Sequence, residues 1–541
     1  MHNGNQTGMA AKKDKNTAQT SPLAADKETP WEAPRIQAVM FLGADSLSMM
    51  VAETHGDEHR VLDVLSQPLE LAQDVFNKGE LSRYTMDRCV QIARGYDELL
   101  AEYRLAGEVQ VRLLGTNILL NIRNMDTLVN RMQITCGLQL EIMDDGEMTR
   151  LLYLNVKTLF NKHPELEKKR ALVLHVGPGN TRVLVLEKGR IAHYGNYRLG
   201  AHRTGITIAR AETDLSGGES VLVREHIRGT IEQMRYDVEG ALPHAPDALI
   251  IFGPDFRKVV EGATGKAAVT SARLSRLAEQ IAATPMEQRT ARFHEDYASV
   301  CYLLPCVHIF LAAAREFKPR TIICPAEEYD HAFLDNVLPT TNRDDSALED
   351  EVIHFSTLLA NRYRADLAHS DQIVMLSMSL FDQLQALHGL TRRDRLLLRV
   401  AAILHEIGGY VSPKNHHRHS QYLILNSEIF GLSRQDVEIV GLLARYHRHG
   451  PPSAADSSYA ELDLSNRLRV QKLAALLRVA EAMERAHAHR ISSFTVRFNN
   501  RRLELLVPDV QDLTLENMGL RTKGAMFADI FGYEAVLLPR K

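Results

Sequence analysis

This 541-residue sequence lacks a long uninterrupted apolar run. A helix that spans a bilayer needs about 18 or more consecutive apolar residues. The best candidate, residues 301–314, contains Pro305 and His308, so the sequence predicts a protein that does not cross a membrane. Residues 1–33 lack apolar periodicity and the hydrophobic centre of a signal peptide. They are therefore predicted to be a disordered tail, and secretion is not expected.

Cysteines are few, and there is no excess of basic residues. The five cysteines form neither a Cys-x-x-Cys pair nor a dense disulfide pattern, which favours a reducing, cytoplasmic location. Lys and Arg total 64 against 68 Asp and Glu, a net charge of −4. This balance excludes a globally basic nucleic-acid coat, and we expect no sequence-specific nucleic-acid partner, although a local basic channel for a polyanion stays possible.

The pattern of apolar residues divides the chain into an α/β part and a helical part. A strand, a glycine turn and a second strand begin near residue 36, and the same pattern recurs after residue 168, which is typical of an internal duplication. From about residue 345 long amphipathic helices take over, followed by a hairpin at Asn499-Asn500, a helix and a strand. The predicted units are a tail (1–33), two α/β domains (34–165 and 166–344), a helical domain (345–490) and a small α/β subdomain (491–541).

Several motifs together resemble a known family. They are Gly115-Thr116-Asn117 with Asn124, RLLYLNV at residues 150–156, Gly177 with Gly179, LHEIG at 404–408, HHRHSQYLILNS at 416–427 and ARYHR at 444–448. These motifs are similar to those of the exopolyphosphatase and guanosine pentaphosphate phosphohydrolase (Ppx/GppA) family, over about residues 36–538. The resemblance implies duplicated actin-like ATPase (ribonuclease H-like) domains, then an all-helical HD-like domain, in a homodimer.

The resemblance also implies a chemistry. Family members hydrolyse the terminal phosphoanhydride of polyphosphate or of a guanosine pentaphosphate with Mg²⁺ and glycine turns that wrap the phosphates. Such a reaction requires carboxylates for the metal and the water, cations or N–H groups on the phosphoryl oxygens, and a turn that permits close approach. The implied phosphate-binding residues are Gly43, Ser46, Gly115, Thr116, Gly177, Gly179, Asn180 and Thr181.

Five positions depart from this chemistry. Phe41 and Met148 stand where the family has carboxylates, Leu120 replaces a phosphate-binding arginine, His175 replaces an aspartate, and Arg182 replaces a catalytic carboxylate. A lost general base typically lowers the rate by about 10²–10⁴ and a lost charge-stabilising contact by about 10²–10³. We therefore expect a protein that binds polyphosphate or a phosphorylated guanosine nucleotide, with hydrolysis lost or strongly reduced.

Other interpretations of the cleft stay open at this level. The cleft is either a folded scaffold that binds no ligand, or a cationic pocket in which Arg182, His175 and Arg150 bind a phosphate or nucleotide without cleaving it, or a rearranged active site. The acidic residues available for a rearranged exopolyphosphatase-type site are Asp45, Asp144, Asp145 and Glu147. Glu147 and Arg150 are the surviving candidates among the family's catalytic positions.

The helical domain offers a second candidate site. HD-type phosphohydrolases hold a metal with a histidine, a His-Asp pair and a distant Asp, and the matching positions are His369, His405-Glu406 and Glu481. Both aspartates are replaced by glutamate, and a His405 that donates to backbone or to Glu406 explains the pattern without metal. An HD-type metal-dependent hydrolase is thus a further alternative.

Histidines are concentrated in the same part of the chain. Six of them lie between His405 and His449, next to several arginines. Their density suits the binding of a polyanion, and a solvated surface loop explains it equally well.

Overall fold

The structure is a computed structural model. It describes residues 35–55, 58–104, 108–211, 219–253, 268–293, 297–325, 334, 337–338, 346–448, 450–508 and 510–540. The predicted tail at residues 1–33 lies outside the described residues. None of the described helices combines the length and the apolarity that crossing a bilayer requires.

The first α/β unit is built on a five-stranded sheet with the order β3-β2-β1-β4-β5. Its strands are β1 (Arg35–Leu42), β2 (Ser46–His55), β3 (Glu58–Pro68), β4 (Val109–Gly115) and β5 (Leu140–Ile142). Neighbours are antiparallel from β3 to β1 and parallel from β1 to β5. The helices are α1 (Leu71–Lys78), α2 (Arg83–Arg104), α3 (Met125–Cys136), α4 (Asp145–Lys162) and α5 (Pro164–Glu167), with a 3₁₀ turn at Asn117–Asn121.

The second α/β unit repeats this arrangement. Its strands are β6 (Arg170–Val176), β7 (Thr181–Glu187), β8 (Arg190–Tyr197), β9 (Ala248–Phe252), β10 (Ala268–Val269) and β11 (Thr321–Ile323), in the order β10-β11-β9-β6-β7-β8. An antiparallel meander of three strands is again followed by parallel neighbours, so the recurrence predicted from the glycine turns is confirmed.

Helices of the second unit cover its sheet. They are α6 (Ala201–Ala211), α7 (Glu219–Val238), α8 (Ser271–Ala283), α9 (Met286–Phe293) and α10 (Tyr297–Phe317). The most apolar stretch of the sequence, residues 301–314, lies within α10, and its apolar side chains from Tyr302 onward pack into the core of this unit despite Pro305.

The remaining chain is helical up to a small sheet, as predicted. The helices are α11 (Ser346–Arg362), α12 (Leu367–Gln383), α13 (Gln385–His388), α14 (Arg392–Leu404), a 3₁₀ turn (Ile407–Tyr410), α15 (His416–Leu425), α16 (Arg434–Tyr446), α17 (Ser457–Ala460) and α18 (Leu464–Met483). The C-terminal elements are β12 (Thr495–Asn499), β13 (Arg502–Val507), α19 (Thr514–Lys523), α20 (Ala525–Phe531) and β14 (Glu534–Pro539). The predicted β12-β13 hairpin is present, but its turn residues are Asn500 and Arg501 and not Asn499-Asn500, because Asn499 still pairs with Arg502.

The helical part is joined to the α/β part through the loop before α16. Phe430 of this loop packs edge-on against Tyr153 of α4 and Tyr194 of β8, with ring centroids 5.4 and 6.1 Å apart. The start of α4 lies so close that a Cβ on Gly146 would be 2.4 Å from the carbonyl oxygen of Leu432. One continuous apolar core therefore extends from α4 and one face of the second sheet into the helical part.

The close approach at Gly146 gives a stability prediction. We expect Gly146→Ala to lower the free energy of unfolding by about 1–3 kcal/mol, because the new methyl group meets backbone that cannot move aside easily. Gly95→Ala is the matched control: Gly95 lies in the middle of α2 with open space around its Cα, so alanine should keep or raise the stability. Melting temperatures of both variants test the prediction, and an unchanged value for Gly146→Ala would contradict the docking geometry.

Candidate functional site

The two glycine turns are closed in the same way. The Gly43 N–H donates to the Ser46 carbonyl at 2.8 Å, and the Gly177 N–H donates to the Asn180 carbonyl at 2.9 Å. Each turn therefore has the tight geometry that the sequence predicted. The predicted turn at Gly253 is described only at its glycine, and residues 254–256 lie outside the described residues.

Helix α1 of the first unit covers the second turn. The Arg203 guanidinium of α6 lies 5.1 Å from the centroid of the Phe76 ring, and its Nε donates to the Gly179 carbonyl at 3.0 Å. A Cβ on Gly179 would lie 2.8 Å from the Phe76 ring. The second glycine turn is thus in direct contact with the Phe76 side chain of the first unit and with Arg203.

Asp45 of the first turn also reaches the opposite unit. Its Oδ1 lies 2.5 Å from Nε2 of His202, and the two side chains are only 18% and 10% exposed. The His202 ring packs against Tyr302 of α10 with centroids 4.0 Å apart. Asp45 is therefore engaged in an interdomain contact in this structure.

Hydrogen-bond donors from both units converge on Asp145, the first residue of α4. Nη2 of Arg182 lies 2.5 Å from its Oδ1, and Nδ2 of Asn117 lies 2.7 Å from the same oxygen. Nδ2 of Asn180 adds a longer contact of 3.4 Å. Arg182 is 1% exposed, whereas the Asp145 side chain is 53% exposed. We call these four residues the anion nest, because charge-assisted donors of this kind recognise an oxyanion.

Two of the replaced family positions lie in one apolar cluster between the first sheet and α4. Phe41 of β1 and Met148 of α4 pack there with Val39, Met50 and Leu151. Carboxylates at these positions would offer oxygen ligands to Mg²⁺, and hydrocarbon offers none. Leu120 does not join the cluster and is 51% exposed.

The three basic residues of the predicted pocket are either uncharged or paired with a carboxylate. Burial and the nearby Arg182 charge lower the pKa of His175 to about 3, so His175 carries no charge at neutral pH. The Arg150 guanidinium donates to both carboxylate oxygens of Glu147, from Nε to Oε2 at 2.7 Å and from Nη2 to Oε1 at 2.6 Å. Arg182 is paired with Asp145. A strongly cationic pocket made of these three residues is therefore absent from the described cleft.

Three of the predicted phosphate-binding residues are packed in the interior. Gly115 ends β4 among Ile142 and Leu119, whose side chains would lie 2.9 Å from a Cβ at this position. Thr116 and Thr181 are buried, and the Thr181 hydroxyl donates to the Leu199 carbonyl. Gly115, Thr116 and Thr181 thus serve the packing of the strand ends in this structure. Ser46, in contrast, lies in the first turn, where its hydroxyl is 3.3 Å from that of Ser48.

The surviving Glu147-Arg150 pair borders a cavity of about 410 Å³ between α4 and the helical part. The residues that line it are Glu147, Arg150, Leu348, Glu349, Arg392, Arg393 and Leu396. Arg392 and Arg393 belong to none of the sequence motifs, and their adjacency at the start of α14 is the signal that could have pointed to them. Arg392 pairs with Glu349 at 2.8 Å, and Arg393 pairs with Asp436 at 2.6 Å.

Glu428 is another residue that the sequence analysis missed. It belongs to the loop before α16, is exposed to solvent, and interacts electrostatically with Asp145 and Arg182. Desolvation, followed by the Asp145 charge, raises its pKa to about 7. The helical part thus contributes a titratable carboxyl to the anion nest.

Three of the four predicted metal ligands of the helical domain come together. Nε2 of His405, at the end of α14, lies 2.6 Å from Oε1 of Glu481 in α18. Nε2 of His369 in α12 lies 3.5 Å from the same oxygen. All three side chains are buried. Glu406, predicted as the fourth ligand, instead groups with His416 and His447.

The histidine-rich segment is not a solvated surface loop. His405, His416, His417 and His447 are all buried, the last three where α15 and α16 pack together and His405 at the end of α14. His419 is partly exposed, and His449 lies outside the described residues. Among the described residues, groups of three potential metal ligands within 4.8 Å of one another occur only in this helical part and not in the cleft.

Comparisons with known proteins agree with the motifs. Residues 50–327 match the family described as "Ppx/GppA phosphatase family", and residues 356–522 match "Ppx/GppA phosphatase, domain III". A guanosine-5'-triphosphate,3'-diphosphate pyrophosphatase of Vibrio atlanticus is 23% identical over 473 residues, which cover 82% of this chain and 87% of the relative. The corresponding protein of Aeromonas hydrophila is 22% identical over 422 residues, or 75% of this chain and 80% of the relative.

Solved structures give weaker likenesses. An exopolyphosphatase from Cytophaga hutchinsonii is 15% identical with a TM-score of 0.47, covering 56% of this chain and 99% of that one. The Aquifex aeolicus Ppx/GppA family member is 14% identical with a TM-score of 0.45, covering 57% of this chain and 100% of that one. From the two matched segments, which together include the α/β part and the helical part, we conclude that the chain belongs to the Ppx/GppA phosphatase family.

Proposed function

We propose that this protein binds polyphosphate or a phosphorylated guanosine nucleotide between its two α/β units, and that hydrolysis at this cleft is lost or strongly reduced. The observation that carries the second part is the apolar cluster containing Phe41 and Met148. A phosphoryl-transfer site with Mg²⁺ requires carboxylates that hold the ion and orient water. Filling these positions with packed hydrocarbon removes both functions at once.

The anion nest supports binding. Arg182 and Asn180 of the second unit and Asn117 of the first all direct N–H groups at one carboxylate oxygen of Asp145. The nest thus presents donors to an oxyanion, and Asp145 holds them in the unliganded protein. A phosphate group that replaced this carboxylate would receive the same donors.

Other features fit the same proposal. Arg150, Arg392 and Arg393 line a cavity large enough for several phosphate groups beside the cleft. The names of the relatives favour a guanosine polyphosphate as ligand. The shared strand order of the two sheets supports the duplicated actin-like architecture implied by the resemblance. We keep the HD-like character of the helical domain, a cytoplasmic location and a homodimer as parts of the proposal.

A phosphate-release assay tests the loss of hydrolysis. With Mg²⁺ and either polyphosphate or guanosine pentaphosphate, we expect rates at least about 10³-fold below those of an active family member, since a base and charge-stabilising groups are missing together. Release at the usual family rate that Glu147→Gln abolishes would overturn the proposal.

Titration calorimetry tests the anion nest. Asp145→Asn removes the competing negative charge, so polyphosphate should bind about 3- to 10-fold more tightly. Arg182→Leu removes the charged donor, and we expect about 10-fold weaker binding. The control, Asp126→Asn, makes the same charge change at an exposed position on α3. Equal affinities in all variants would show that the ligand binds elsewhere or not at all.

Glu428 gives the binding a pH dependence. Its pKa is about 7, so the carboxyl is neutral below this pH and negative above it. A negative Glu428 repels a phosphate ligand, and the affinity should therefore fall about 3- to 10-fold as the pH rises from 6 to 8. In Glu428→Gln this component should disappear, with affinity at pH 8 close to the wild-type value at pH 6. The same pH dependence in both proteins would assign it to the ligand or to other residues.

A further inference from the structure

Arg203 of α6 is a cleft arginine whose charge is not matched by a carboxylate. Arg182 and Arg150 each pair with an acidic side chain, whereas Arg203 forms no ion pair among the described residues. Its Nε donates to the Gly179 carbonyl, and its guanidinium lies over the Phe76 ring. A guanidinium has five N–H groups, and those on Nη1 and Nη2 have no protein acceptor in the part of the chain that the structure describes.

A second arginine, Arg198, interacts electrostatically with Arg203. Arg198 lies in the turn between β8 and α6, is exposed, and makes no ion pair with any described residue. Desolvation, followed by the Arg198 charge, lowers the pKa of Arg203. Two like charges, one of them partly buried, are costly to keep together, and an anion bound by both would offset that cost. We call Arg198 and Arg203 the arginine pair.

The arginine pair adjoins the anion nest through the second glycine turn. Arg203 donates to the carbonyl of Gly179, and the next residue, Asn180, is a member of the nest. Nη2 of Arg203 lies 3.7 Å from the position that a Cβ on Gly179 would occupy. Two separate sets of donors therefore reach the same short turn, one of them satisfied by Asp145 and the other left without an acidic partner.

The arginine pair also supplies a charge that the first unit lacks. Leu120 stands at the position of the phosphate-binding arginine in the family, and its side chain has no hydrogen-bond donor. A chain of phosphate groups carries several negative charges, more than the single arginine of the nest can neutralise. Guanidinium groups suit this task because their planar fork of donors matches the oxygens of a phosphate group.

We propose that the arginine pair is a second phosphate subsite of the cleft, so that the cleft selects ligands with linked phosphate groups over a single phosphate ion. The inference rests on the proposed function, since it assigns the neighbouring phosphate group of the same ligand. One phosphate group takes the place of the Asp145 carboxylate in the nest, and a linked group binds Arg203 and Arg198. Linkage makes the second contact intramolecular, which raises the affinity for a chain above that for either group alone.

Titration calorimetry with orthophosphate and tripolyphosphate tests the proposal. The wild type should bind tripolyphosphate at least about 10-fold more tightly than orthophosphate. Arg198→Ala and Arg203→Met should each weaken tripolyphosphate binding about 5- to 10-fold, because each removes a charged donor, and should change orthophosphate binding less than about 2-fold. Arg228→Ala is the matched control, since it removes the same charge at an exposed position on α7 and should leave both affinities unchanged.

Two results would overturn the proposal. One is an unchanged tripolyphosphate affinity in both arginine-pair variants, and the other is an equal weakening in Arg228→Ala, which would show a general effect of net charge. Arg203→Met keeps an unbranched side chain beside Phe76, and Arg198→Ala changes an exposed residue, so the second variant covers the case in which the first fails to fold.

Arg182→Leu separates a failure of this inference from a failure of the proposed function. If the wild type binds tripolyphosphate and Arg182→Leu alone weakens it, the ligand occupies only the nest, and the arginine pair is not a subsite although the proposed function stands. If the wild type binds neither tripolyphosphate nor guanosine triphosphate, both proposals fail. Guanosine triphosphate carries the same run of phosphates, so the ligand that the wild type binds more tightly distinguishes a nucleotide from a free phosphate chain.

Discussion

The ion pair between Arg182 and Asp145 organises the cleft between the two α/β units. A guanidinium that is almost completely buried is costly to desolvate unless a carboxylate and further polar groups surround it. Asp145, at the start of α4, supplies that carboxylate from the opposite unit, and the side-chain amides of Asn117 and Asn180 donate to the same Asp145 oxygen. The replacement of an acidic family residue by Arg182 is thus balanced across the domain interface, and the orientation of α4 is tied to the second glycine turn.

The same helix also connects the cleft to the helical part. Asp145 and Met148 lie near its first turn, and Tyr153 one and a half turns later packs against Phe430. Glu428, two residues before Phe430, lies beside the anion nest. Since a single apolar core includes α4, the second sheet and the helical part, a rearrangement in the cleft has to involve all of them.

Much of the fold followed from the sequence because its signals are local. The repeated strand, glycine turn and strand at residues 36 and 168 required no knowledge of distant contacts, and the β12-β13 hairpin followed from the same type of pattern, with its turn one residue beyond the predicted position. The replaced positions in the cleft were also visible, since a motif is read residue by residue. The sequence alone did not show which charged side chains pair with one another in the folded protein.

That question depends on contacts between residues far apart in the chain. The sequence suggested that His175 is a cation, but burial next to Arg182 lowers its pKa and leaves it uncharged. The sequence also suggested that Glu406 is a metal ligand beside His405, but the end of α14 places it near His416. The histidine-rich segment fitted a polyanion-binding region and a solvated surface loop equally well, because its spacing does not reveal that α15 and α16 face each other. Glu428 belongs to none of the sequence motifs, so nothing in the sequence pointed to it.

The contact between Lys523 and Glu481 has a consequence for biosynthesis. The chain grows from its N-terminus, so α19 leaves the ribosome after α18. Until then Glu481 has no lysine beside it, and α18 lacks the helix that packs on its outer side. The outer side of α18 is therefore covered only after residue 523 has been made, and a nascent chain that stops before it leaves Oε2 of Glu481 without the Lys523 ammonium.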